Sequence, residues 1–565
     1  MNVLKNKKFR YGSVSVALTV VIIVAVILLN AIVTAVVHDN ELYLDMTADN
    51  LFTLSDAAKS CLDPVKEDGR RVKIIFCAAE DEIEADPYTY YAYHTAKDIR
   101  EYLGDECVEL EFVDFIKNPT KIQKYFNQGE SVTPNVYAII LVGQVKDENG
   151  EWKDAYSRIY SAGALYLLDS TGKNVIGYNG EQRLVSGILT VTKTEQPIAC
   201  FTVNHGETGP VVYATDDKGN YILDENGKKI KASDTAFKIL LEDCGFKVLE
   251  IDLWNEDIPE ACSLLIINNP TSDFHAIDEF SQVAETTKLE NFLDGKNALM
   301  VFLDPKTGSG ASGVNGTLPN LEDYLKEWGI GLMRKDGSVS GLPSASYMVE
   351  ETSANRLNSF TNKGIYVRGG LGRSINSTLL AMDVPPTVLF PTPAALVSTF
   401  TDKDVTTDSK TGVEYTVYKN DTNMTPRRCY DVFTSSNDAV VMLNGVAGSQ
   451  SAPYSYMKIT QETHEDHTSS KGESYSYVLA CSSTEFVSNG ALIGQYGNHA
   501  VLTRACHEMG VSAISVSIDA KYYTDTTIET IPEGAQNSYT VVLTVIPAAI
   551  IFLAGIVIMV RRRYR

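Results

Sequence analysis

The stretch from Pro197 to Glu207, PIACFTVNHGE, decides how this chain is read. Ile198 to Phe201 is a short apolar run without polar interruption, the pattern of a strand. It breaks at Asn204-His205-Gly206, a polar turn. Downstream, TAFKILLEDCG (235–245) places apolar residues at 237, 240, 241 and 244, the spacing of one helical face. FKVLEIDLW (246–254), ACSLLIINNP (261–270) and NALMVFLDP (297–305) read as three further strands. A helix is expected from about 278 to 293, and another from 318 to 328.

The order strand, helix, strand, strand, helix, strand predicts an open α/β sheet of flavodoxin-like or amidotransferase-like type. Residues 215–234 interrupt it as an exposed hairpin. Upstream the same alternation recurs. RVKIIFCAA (71–79), CVELEFVDF (107–115) and NVYAIILVG (135–143) read as strands, and TAKDIREYL (95–103) and EQRLVSGILTVT (181–192) as helices. Ser55 is the expected N-cap of a helix that turns Leu62 inward. The fold class is therefore tandem α/β units, with parallel pairing expected in the first as well.

Two apolar segments stand apart, 14–37 (VSVALTVVIIVAVILLNAIVTAVV) and 541–560 (VVLTVIPAAIIFLAGIVIMV). At about 1.5 Å per residue each is long enough for a bilayer core of about 30 Å. The first lacks an A-x-A-like site after it, so a retained anchor is preferred to a cleaved signal peptide. Lys5, Lys7, Lys8 and Arg10 precede the first segment, and Arg561, Arg562, Arg563 and Arg565 follow the second. Basic outer flanks predict a two-pass protein of the cell membrane, with both termini cytoplasmic and the large domain extracytoplasmic.

The formal net charge is −23, and the two basic ends supply four positive charges each, leaving −31 for the remainder. Such a domain repels nucleic acid. Nine cysteines occur without C-x-x-C spacing, and their odd number prevents complete pairing within one chain.

The expected organisation is a basic tail (1–13), a span (14–37), a first α/β domain (38–195) and a second (196–335). A Ser/Thr/Gly-rich region (336–474) carries few periodic signals. A strand–helix piece with linker (475–538) completes the second sheet, before the other span (541–560) and an arginine-rich end (561–565).

Several segments, in order, resemble the GldG-like auxiliary subunits of ABC-2-type transport systems. LDMTADNLFTLSDAAKSCL (44–62) is similar to the segment that follows the first anchor in that family. VDFIKNPTKIQKY (113–125) resembles its strand-to-helix turn, with Phe115-Ile116 where Asp-Pro is usual, and EQRLVSGILTVT resembles its following helix. NHGE (204–207) is similar to its G-H-G-E, with Asn204 in place of glycine. Asn269-Pro270, LDP (303–305), CSSTEFVSNG (481–490) and the closing PAAIIFLAGIVIMVRRR (547–563) continue the match. The resemblance implies an accessory subunit working with a permease and an ATPase and carrying no catalytic site of its own. The ATPase must be a separate chain, because no Walker motif is present.

His205, Glu207, Asn269 and Asp304 lie at expected strand ends, where open α/β sheets bind ligands. A polar ligand or a metal held with Asp304 is one reading. A turn capped by His205 and Glu207 is preferred, because no second histidine stands at ligand spacing. His464 and His467 fall in a polar segment without helical period and are expected in a solvated loop. Gly308-Ser-Gly-Ala-Ser-Gly313 lacks the lysine of a phosphate loop. No cofactor and no metal are expected.

The function expected is thus a non-catalytic, membrane-anchored accessory subunit with a ligand- or partner-binding domain. Its partners would be the permease, the ATPase and the lipid bilayer, with oligomeric state open. The alternatives are a stand-alone surface binding protein, or a membrane-tethered hydrolase with a site near His205, Glu207 and Asp304.

Overall fold

The computed structural model describes residues 53–125, 135–275, 284–303, 318–333, 346–511 and 546–564, apart from breaks of a few residues. Isolated positions at 21, 24, 27, 28, 518 and 521–523 are also described. Two compact units divide the chain, Met1–Lys521 and Tyr522–Arg565.

In the larger unit, helix α1 (Asp56–Glu67) starts where Ser55 caps it, with the Ala58 amide donating to Ser55 Oγ at 3.2 Å. Its inner face buries Ala58, Cys61, Leu62 and Val65. A four-stranded sheet follows, made of β1 (Arg71–Phe76), β2 (Val108–Phe112), β3 (Ile139–Lys146) and β4 (Trp152–Tyr160), in the order β2-β1-β3-β4. Pairing here is mixed, which corrects the expectation of a parallel first unit. β1 and β2 are parallel because helix α2 (Tyr90–Leu103) carries the chain back between them. β3 and β4 are separated only by residues 147–151, and so short a link allows antiparallel pairing alone. Helix α3 (Gly180–Val191) lies so close to β3 that a Cβ on Gly143 would sit 1.8 Å from the Val191 carbonyl oxygen.

The second sheet has twelve strands. Its path runs through β5 (Ile198–Thr202), β6 (Lys247–Ile251), β7 (Cys262–Asn268), β8 (Ala298–Phe302), β9 (Asp402–Thr407), β10 (Glu414–Asn420), β11 (Arg427–Thr434), β12 (Ser455–Glu465) and β13 (Glu473–Cys481). The order is β6-β5-β7-β8-β13-β12-β11-β10-β9. From β6 to β13 every pairing is parallel; from β13 to β9 every pairing is antiparallel. The inner strands of the parallel half, β5, β7 and β8, are largely apolar because helices cover both faces, whereas the edge strand β6 keeps Lys247 and Glu250 exposed. Ala199 and Phe201 join Ile266, Met300, Phe302 and Leu479 on one side, under α4 (Ala236–Asp243). Cys200 joins Leu265, Ile267, Leu299 and Val478 on the other, under α5 (Glu285–Asp294) and α6 (Pro319–Glu327). Neighbours in one strand thus enter opposite cores, as the two-residue repeat requires.

The Ser/Thr/Gly-rich region (336–474) supplies β9, β10, β11 and all of β12, together with a helix at Gly370–Leu380. His464 lies within β12, its Nε2 2.8 Å from Ser476 Oγ of β13, and not in a solvated loop. The two sheets are tied by Asp243 at the end of α4, which accepts from Arg158 of β4 at 3.1 Å and lies 3.3 Å from Arg183 Nε of α3. All nine cysteines are buried.

The smaller unit contributes a helix from Ile546 to Arg563. Its apolar part, Ile546 to Val560, is about 22 Å long, and its last turn is Arg561, Arg562 and Arg563. Of the expected span 14–37, only Val21, Val24, Ile27 and Leu28 are described; the rest lies outside the described residues. Among the described residues, no helix is long and apolar enough to cross a membrane. That finding overturns the fold class as drawn from the sequence, with flanking transmembrane helices. It also removes the two-pass cell-membrane placement, with its cytoplasmic termini and extracytoplasmic domain. What stands is a mixed α/β protein with large sheets.

Candidate functional site

Because β5, β7 and β8 run parallel, their carboxyl ends share one edge of the sheet. The turn after β5 depends on left-handed backbone at Asn204 (φ 91°) and Gly206 (φ 77°). At Gly206 a Cβ would also fall 2.0 Å from Thr271 Oγ1. This turn is clamped to the one after β7. The amides of Thr271 and Ser272 donate to the His205 carbonyl at 2.8 and 2.9 Å. Asn269, also left-handed at φ 59°, donates its amide to the Phe302 carbonyl at 3.0 Å. It therefore fastens β7 to β8 through its backbone. Asp304 lies outside the described residues.

His205 is buried, its side chain 4% exposed, and both ring nitrogens are engaged. Nδ1 is 3.2 Å from Glu207 Oε1, and Nε2 is 3.1 Å from Glu285 Oε2. The His205 amide donates to Glu207 Oε2 at 2.6 Å, and the Phe274 ring stacks on the imidazole at 4.1 Å. Burial alone would lower the imidazole pKa, but hydrogen bonds and charge from Glu207 and Glu285 push it up to about 9. Burial works against Glu285 as a carboxylate, yet His205 and the His275 amide hold its pKa below the usual glutamate value.

Two members of this cluster were missed in the sequence. Glu285, eighty residues beyond His205, opens α5, and His275 precedes it in the chain. The His275 amide and Nδ1 reach the same Oε2 at 2.8 and 3.0 Å. A search for a second histidine at short spacing fails because the partner arrives on another strand's loop.

A second feature left no mark in the sequence. A cavity of about 660 Å³ opens at the antiparallel half, lined by Tyr366, Tyr415, Tyr418, Tyr430, Asp431 and Lys458 among others. Lys458 is 2% exposed and pairs with Asp431 at 2.6 Å, its ammonium 5.0 Å from the centre of the Tyr418 ring. Burial would lower the lysine's pKa, but Asp431 raises it above the ordinary value, so the ammonium stays charged.

No family model matches the chain, and no curated protein matches it. Among solved structures, it is similar to one described as a cytoplasmic protein from Salmonella typhimurium. The identity is 10% and the TM-score 0.25, with 56% of this chain and 99% of that one covered.

Proposed function

We propose that this chain is a non-catalytic accessory subunit of an ABC-2-type transporter, with an α/β domain that binds a ligand or partner. The transporter half of the reading is supported by the collinear segments that resemble GldG-like subunits. Three of these, NHGE, Asn269-Pro270 and the LDP segment, follow neighbouring parallel strands. The observation that carries the binding half is the tyrosine-lined cavity. Its volume of about 660 Å³ falls in the range of small-molecule sites, about 300–1,000 Å³. Flat aromatic faces beside a fixed Lys458–Asp431 charge pair suit a ligand with both an apolar face and polar groups, such as a sugar or short peptide.

The hydrolase alternative is disfavoured by the surroundings of His205. A general base needs a free nitrogen facing the proton it takes, and both nitrogens here are held by carboxylates. Purification of the tagged full chain from its own host in mild detergent tests the proposal. An ATPase with Walker motifs and a multi-helix permease should accompany it. Their absence from the eluate, with the chain itself folded, would remove the transporter role. Function retained in the His205→Ala, Glu207→Ala double variant would remove the hydrolase.

A further inference from the structure

We propose that His205, His275 and Glu285 form a binding site for a divalent transition-metal ion, zinc being the best match, with Glu207 as a positioning residue. Two imidazoles and a carboxylate are a common zinc donor set. Here one ligand atom from each lies within 4.8 Å of the others. Both His205 Nε2 and His275 Nδ1 already point at a single oxygen, Glu285 Oε2, from 3.1 and 3.0 Å. Tetrahedral zinc, with bonds of about 2.0–2.2 Å, needs donor atoms roughly 3.3 Å apart, so small shifts suffice.

A second observation points the same way. Glu285 is 1% exposed, and its Oε1 is buried without a hydrogen-bond partner among the described residues. A buried carboxylate oxygen left without a donor is costly, and a cation would satisfy it. Oε2 meanwhile takes every donor that the two histidines offer.

Glu207 completes the arrangement. Metal-bound histidines commonly give their other ring N–H to a carboxylate, which fixes the tautomer and ring orientation. Glu207 Oε1 stands 3.2 Å from His205 Nδ1, and its other oxygen is held by the His205 amide. Once a metal ion displaces the Nε2 proton now shared with Glu285 Oε2, that hold keeps the Nε2 lone pair aimed at the site. Stacking on buried Phe274 fixes the plane of the ring. His275 differs, because its side chain is 55% exposed and packs beside Trp254. The fourth coordination position therefore faces solvent and is open to water or to an oxygen donor from a ligand.

The test is calorimetric titration of the metal-stripped full chain with zinc chloride, repeated with cobalt chloride to read the coordination geometry from its absorption. A single zinc per chain is expected, with a rise in Tm on binding. His275→Ala, an exposed position that leaves the fold intact by circular dichroism, should abolish the saturable event. Glu207→Gln should keep the stoichiometry and weaken binding about 10- to 100-fold. Absence of binding by the wild type overturns the site. Undiminished binding in His275→Ala also overturns it, assigning the zinc to the acidic surface. Unweakened binding in Glu207→Gln removes the positioning role. A chain that binds zinc but captures no permease keeps the site and loses the accessory role.

Discussion

Single positions carry much of the geometry described. Gly206 combines φ 77° with a forbidden Cβ site against Thr271 Oγ1. Gly206→Ala should therefore cost about 1–3 kcal/mol, read as a drop in Tm by calorimetry, and an unchanged Tm would contradict it. Asp154 offers a test by pH. Burial opposes its charge, but hydrogen bonds from Lys124, Tyr125 and Gln144 outweigh burial and hold its pKa at about 2. A carboxylate with a lowered folded pKa stabilises above its unfolded value and loses that contribution as pH falls. The Tm advantage of wild type over Asp154→Asn should be full above about pH 4 and vanish as pH falls towards 2. A gap that stays constant across that range would contradict the assignment.

At the scale of elements, the central parallel strands decide stability. Phe302 ends β8, is fully buried, and meets Phe237 of α4 edge-on at 5.4 Å. Phe302→Ala should cost about 3–5 kcal/mol in denaturant unfolding, far more than Val405→Ala on β9, where the side chain is 65% exposed. The same contrast explains what the sequence revealed. ALMVF (298–302) and LLII (264–267) are unbroken apolar runs because helices cover both sides, and such runs read directly as strands. DKDVTT is exposed along its whole length and is a strand only because β10 pairs with it, so its own residues do not announce it. His205 and Glu207 were visible as a polar turn after a strand. Their meeting with His275 and Glu285 depends on how two loops pack, which no local pattern encodes.

Over the whole molecule, the structure replaces a membrane-flanked design with a mixed α/β protein whose two largest described sheets have four and twelve strands. Asp243 links those sheets through Arg158 and Arg183, so Asp243→Ala takes the carboxylate away from a buried guanidinium, Arg158, and a half-buried one, Arg183. The loss should be about 3–5 kcal/mol, felt by both sheets in one cooperative transition, and two separate transitions in the wild type would contradict that linkage. The proposed function places a ligand in the cavity beside Lys458. Native mass spectrometry of the full chain isolated from its own host, comparing wild type with a Tyr418→Ala, Tyr430→Ala variant, is the decisive measurement. A small molecule should be retained by the wild type and lost from the folded variant. A wild type that carries nothing, or a variant that retains the same mass, would contradict it.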